Sequence, residues 1–150
     1  MYFDPENPIV KLCALGMEKE GLNLHEEARQ AFQQAWTEAG NNFEKYIASH
    51  YVARRQKTTQ EKLNWDKKSL EFALLIEGDE IKGSLPSLYL NIAKGYEDLG
   101  HLKKAEQNYV QALSFEKFLL PDGYGQLILS GIQAGLKRVT EQSTKDQNET

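Results

Sequence analysis

Cysteine is all but missing from this chain of 150 residues: Cys13 stands alone, so no disulfide within the chain can brace the fold. Long apolar runs are missing too. A stretch such as Phe72 to Ile76 falls far short of the roughly 18–20 residues that a bilayer-spanning helix needs. Met1 to Pro8 is polar and acidic, with no basic start and no apolar stretch. The expectation is therefore no signal peptide, no membrane partner and a cytoplasmic location. The glycine spacing of a phosphate-cradling loop is absent as well. Gly123-Tyr124-Gly125 lacks a third glycine and reads as a turn. His25, His50 and His101 are isolated, and no Cys-x-x-Cys or His-x-x-x-His occurs. No metal and no cofactor are expected. The net charge of -4 argues against nucleic acid as a partner, since such binders are usually basic.

What the chain does have is a periodic apolar pattern and an uneven charge. Residues 1–42 and 69–100 each carry a balance of -4, residues 43–68 carry +4, and residues 101–150 are balanced. A basic middle between acidic neighbours is the one feature of the composition that points toward a partner.

The chain also repeats itself. At a lag of 77 positions Leu12 returns as Tyr89, Leu15 as Ile92, Gly16 as Ala93, Ala28 as Ala105, Phe32 as Tyr109 and Ala35 as Ala112. Only the pair Lys19/Tyr96 changes character. Leu12, Leu15, Gly16 and Lys19 are spaced by three and four, one face of a helix. Ala28, Phe32 and Ala35 form the matching stripe on a second helix. Small residues let two antiparallel helices approach, and large ones fill the holes between them. A lag of 77 is roughly two units of about 34 residues plus an extension of about nine, so a further unit belongs between the two copies. Gly16 and Ala105 are expected to be buried at helix crossings.

Local chemistry marks the boundaries. Asn7-Pro8 is a cap followed by a first-turn proline. Gly21 and Asn23 break the first pair, and Asn41-Asn42 end it. Thr58 with Glu61 predicts a capping box for a helix from 59 to about 77. Gly78 ends that helix, and Gly83-Ser84 with Pro86 opens the next. Pro121-Asp122-Gly123 is a turn into a last helix over 124–141. Ile128, Ile132, Leu136 and Val139 stripe one side of it, with Gly131 and Gly135 permitting close approach. The other side carries Gln126, Gln133, Lys137 and Arg138. One apolar and one polar face is what a terminal cap needs. The expected domain is 1–141, followed by a polar, mobile tail over 142–150.

Tyr89-x-x-Ile92-Ala93-x-x-Tyr96 followed by Ala105-x-x-x-Tyr109, with the Gly100 turn and Ala112-Leu113, resembles the tetratricopeptide repeat family. Lys117 stands near the place of the pattern's final proline. The units would cover about 9–42, 43–85 and 86–119, with the middle one degenerate: Ser49 and His50 stand where packing residues are expected. The runs His50–Gln56 (HYVARRQ) and Asp122–Gly125 (DGYG) are similar to small stand-alone bacterial proteins of this kind. The resemblance implies an all-α, right-handed helical-repeat solenoid, with three antiparallel helix pairs and a C-terminal capping helix.

The resemblance further implies that first helices line a concave groove. That would turn Cys13 and Met17, then Ile47, Tyr51, Arg54 and Arg55, then Leu90, Asn91 and Lys94 toward it, with Glu97 or Asp98 at the end. Asn91 could pair with a peptide backbone, and Arg54 could hold a carboxylate or phosphate bidentately. The expected function is that of a non-enzymatic adaptor binding another protein or an extended peptide, acidic in character. Two alternatives are a small-molecule binder or enzyme with a pocket near His50, Tyr51 and Arg54, and a structural homodimer formed through the last helix.

Overall fold

A computed structural model describes residues 3–149. Met1 and Tyr2 of the polar N-terminus, and Thr150 of the expected tail, lie outside the described residues. Seven α-helices and two short 3-10 turns, with no strand, account for the regular structure among the described residues. The chain divides into two compact units, Met1–Gly78 and Asp79–Thr150.

The first unit holds α1 (Pro8–Gly21), α2 (His25–Glu38), α3 (Asn42–Ala53) and α4 (Thr59–Leu74). The starts of α1 and α4 follow the expected chemistry, and α3 has a cap of its own. Asn7 accepts from the Ile9 and Val10 amides, Asn41 from the Glu44 amide, and Thr58 from the Glu61 amide. These caps satisfy donors that have no partner inside the helix. α1 packs on α2, α3 on α4, and α2 also against α3, around Ala28, Phe32 and Val52.

The contact face of α1 differs from expectation. Ile9, Cys13 and Gly16 are buried, whereas Leu15 is 42% exposed. Gly16 has to face the Phe32 ring, and Leu15, one residue earlier on the helix, is then turned well off that line. Cys13 is inside, not on an outward face, and burial pushes its thiol up to about 12. It is inert at neutral pH. Ile47, also expected to face outward, is buried in the core. Met17 is exposed.

A Cβ on Gly16 would fall 2.1 Å from Cε1 of the fully buried Phe32. Gly16→Ala should therefore destabilise the chain by about 1–3 kcal/mol through overpacking. Gly21→Ala, where an added Cβ meets nothing within 4 Å, should cost nothing. Urea unfolding of the two variants checks the pair, and equal stabilities would rule out the Gly16–Phe32 notch.

The middle pair accommodates its polar residues by back-bonding. Ser49 Oγ donates to the Lys45 and Tyr46 carbonyls, and Ser69 Oγ reaches across from α4 to the same Tyr46 carbonyl at 3.0 Å. Asp66, only 3% exposed, accepts from Lys62 Nζ at 2.6 Å. Burial still raises its carboxyl above the usual range, against the pull of Lys62.

The second unit holds α5 (Leu85–Asp98), α6 (Leu102–Ser114) and α7 (Gly123–Asn148). α5 pairs with α6, and α7 lies against α6 and α5. Tyr109 fills the centre with Ala93, Ala105 and Val139. A second cluster joins Ala112, Ile128 and Ile132. Ala105 is fully buried, and Gly135 on α7 takes the Tyr109 ring against its backbone. Gly100 closes the turn between α5 and α6 at φ +78, a conformation that glycine adopts without strain. The one unlike pair of the 77-residue repeat is resolved here. Lys19 bridges to Glu27 at 2.9 Å, and at the corresponding positions Tyr96 lies under the Lys104 ammonium, 5.5 Å from the ring centroid.

α7 extends to Asn148 instead of stopping near 141. Hydroxyl back-bonds from Thr140 and Thr144 and the Gln142–Asp146 bond accompany the helix through its polar end.

Candidate functional site

The two sequence-expected arginines of the middle segment end up beside each other on the first unit. α3 stops at Ala53, and the Arg54 and Arg55 amides bond back to the Tyr51 and Val52 carbonyls. The Gln56 side chain donates to the Val52 carbonyl at 3.0 Å. This tight exit sends both guanidiniums toward the end of α1. There Glu20, its side chain only 9% exposed, accepts from Arg54 Nη2 on one oxygen and from Arg55 Nε on the other, each at 2.7 Å. One carboxylate thus anchors two cations.

Neighbouring side chains fix each cation further. The Arg54 guanidinium carbon sits 5.6 Å from the centroid of the Tyr51 ring, and Tyr51 stacks on the buried Phe32 at 5.2 Å. Tyr51 is therefore a packing residue that supports Arg54. Arg55 Nη1 lies 3.0 Å from His25 Nδ1. A guanidinium can only donate, so Nδ1 is the acceptor in this contact. Across from them Arg29 grips Glu26 with two bonds, at 2.9 and 2.5 Å, and holds that carboxyl below its usual range. Arg54, Arg55, Arg29, His25, Glu26 and Gln56 line an open cleft of about 290 Å³.

His50, the centre of the alternative pocket, packs edge-on to Tyr51 at 5.3 Å. Its Nδ1 is buried with no hydrogen-bond partner. Burial first, then the Arg54 and Lys62 charges, push its pKa down to about 4. It is a neutral ring in the α3–α4 seam.

On the second unit the expected residues go different ways. Leu90 is half-buried and packs toward α7, where its Cδ2 would lie 3.3 Å from a Cβ placed on Gly131. Asn91 is half-buried on α5. Lys94 is exposed and bonds Asp98 one turn on. Glu97 is engaged by α7: Arg138 Nε donates to it at 2.7 Å and Nη2 at 3.1 Å. Tyr109 donates its hydroxyl to the same carboxylate at 2.5 Å. Arg138, helped by Tyr109, holds the Glu97 carboxyl low against the effect of burial, and Tyr109 is pushed well above its ordinary range by burial and by Glu97.

Sequence reasoning found Arg54, Arg55 and Tyr51 but not Glu20, His25, Arg29 or Gln56. The first three lie roughly 25 to 35 positions away along the chain and carry no local signal; only the fold brings them together. Among the described residues, no group of three or more His, Cys, Asp or Glu is placed to hold a metal ion, and no helix is long and apolar enough to cross a membrane.

Residues 86–117 match the family model described as tetratricopeptide repeat. No curated protein matches the chain, and no solved structure does.

Proposed function

We propose that this chain, which carries a tetratricopeptide repeat over residues 86–117, is a non-enzymatic protein-interaction module whose first unit receives an acidic, extended segment of a partner. The repeat supports protein binding in general. The acidic character of the segment rests on one observation, the Arg54–Arg55 pair held on Glu20.

Both oxygens of Glu20 are spent on that pair. Each guanidinium has five N–H donors. Arg54 commits one of them to Glu20, and Arg55 commits one to Glu20 and one to His25. The remaining donors are suited to a carboxylate, because the planar fork matches its two oxygens. Arg54 is 43% exposed at its side chain, so an incoming acid reaches it without displacing Glu20. Lys57 in the adjoining turn and the +4 balance of residues 43–68 add a longer-range attraction, which raises the rate of encounter.

A partner recovered by cross-linking with the intact chain supplies the test. The Arg54→Glu, Arg55→Glu double variant should lower its affinity at least about tenfold, because charges are both lost and reversed. Lys103→Glu, an exposed reversal on α6, should leave affinity unchanged. Raising salt from about 0.05 to 0.5 M should weaken the wild-type complex, since exposed charges are screened over that range. Affinity indifferent to both the reversal and the salt would refute the acidic reading.

A further inference from the structure

The cleft around Arg54 and Arg55 continues past Arg29. A second hollow of about 580 Å³ shares Glu26, Arg29, Arg55 and Gln56 with the first and adds Gln33, Lys57, Glu61 and Trp65. The two form one trough along α2. Glu26, Arg29 and Gln33 are spaced by three and four, so they lie on a single stripe of that helix and make its floor.

The two ends differ in chemistry. One is the guanidinium cluster. The other is the Trp65 indole, which meets Trp36 edge to face at 5.1 Å. Trp36 in turn packs on the Ala28, Phe32 and Val52 cluster. The Lys68 ammonium lies 4.6 Å from the Trp65 ring centroid. The indole is therefore fixed before any ligand arrives, which lowers the ordering cost of binding. The floor from Glu26 to Gln33 spans about 10 Å at 1.5 Å per residue. An extended peptide covers that in about three residues.

We infer that the trough is a bipartite docking site for an extended segment of a partner protein, with an Asp or Glu on the arginine end and an aromatic side chain three residues away on Trp65. The inference rests on the reading of the Arg54–Arg55 pair as an anion site and deepens it. An aromatic ring suits the far end for two reasons. Ring pairs favour offset or edge-on contact with a fixed indole, and the Lys68 ammonium beside that indole favours a π-face over an aliphatic side chain.

A random heptapeptide display library, panned on the full chain, is the probe. The expected consensus places Asp or Glu three positions from Phe, Tyr or Trp. A synthetic peptide of that consensus should bind at least about tenfold more weakly to the Arg54→Glu, Arg55→Glu variant. Gln33→Trp, which fills the far end of the floor from an exposed position, should weaken binding comparably while its thermal melt stays unchanged. Trp65→Ala should remove the preference for the aromatic residue. Acidic peptides without the spaced ring, bound equally well by the Gln33→Trp variant, would overturn the bipartite trough and leave the anion site standing. Peptides without acidic residues, binding indifferent to the arginine reversals, or no enrichment at all would overturn both.

Discussion

A chain ended at Leu120 will lose the cooperative fold of its second unit and aggregate. Residues 121–150 contain α7, whose Ile128, Ile132 and Val139 are buried against α5 and α6. Fully burying one such side chain is worth about 1.5–3 kcal/mol, so three of them contribute on the order of 5–9 kcal/mol. That is comparable with the whole stability of an ordinary domain, about 5–15 kcal/mol. The truncation also uncovers Tyr109 and Ala112, both fully buried in the intact chain, and Arg138 is lost from Glu97. An apolar patch of that kind on a soluble chain drives association. Light scattering and a circular-dichroism melt of the truncated chain check the result. A soluble monomer with an unchanged melt would mean that α7 covers nothing of consequence.

The first unit will be less stable at pH 4 than at pH 7, by up to about 3 kcal/mol, with His50 as the source. Its folded pKa is pushed down to about 4, chiefly by burial and then by the Arg54 and Lys62 charges, against about 6.5 for a free imidazole. A depressed pKa means that the unfolded chain binds the proton first. The stabilisation is complete above about pH 6.5 and is lost progressively as pH falls toward 4. Asp66 works in the opposite sense at the acid end. Burial raises its carboxyl, so ionising it costs the folded chain something as pH rises. His50→Gln separates the two by removing the imidazole titration. Urea unfolding at a series of pH values should show the wild-type slope between pH 6.5 and 4 and a much flatter profile in the variant. Parallel profiles would rule out His50 as the titrating group.

The helix pairs were legible because packing leaves a period: Gly16, Ala28 and Phe32, and again Ala93, Ala105 and Tyr109, recur at helical spacing and meet as that spacing requires. The face of α1 was misjudged because Leu15 is as apolar as Leu12. Hydropathy could not tell which side of the helix Phe32 would occupy. The far end of α7 was invisible for a related reason. From Thr140 onward the residues are polar, and a helix that buries little there prints no stripe. At the middle pair, Ser49 looked like a failure of packing and turned out, with Ser69, to hold the Tyr46 carbonyl between two helices. For the candidate site, the sequence displayed the charge of Arg54 and Arg55 but not the Glu20 carboxylate that orients them. Orientation depends on the turn at Asn23, which adopts φ +62 and returns the chain so that α2 comes to lie beside α1.

The contact of Glu97 with Arg138 and Tyr109 has one more consequence. Two side chains make three hydrogen bonds to one carboxylate, so their energies are not separable. Removing Glu97 leaves a buried tyrosine hydroxyl without its acceptor and an arginine without its counter-charge. Removing Arg138 or Tyr109 as well then takes away a group that had already lost its partner. Losses within such a set do not add: a second substitution costs less than it would alone. The hydrogen bonds and charges of the latch behave as a single thermodynamic element, and after the first change in it only the packing of the Tyr109 ring is left to lose.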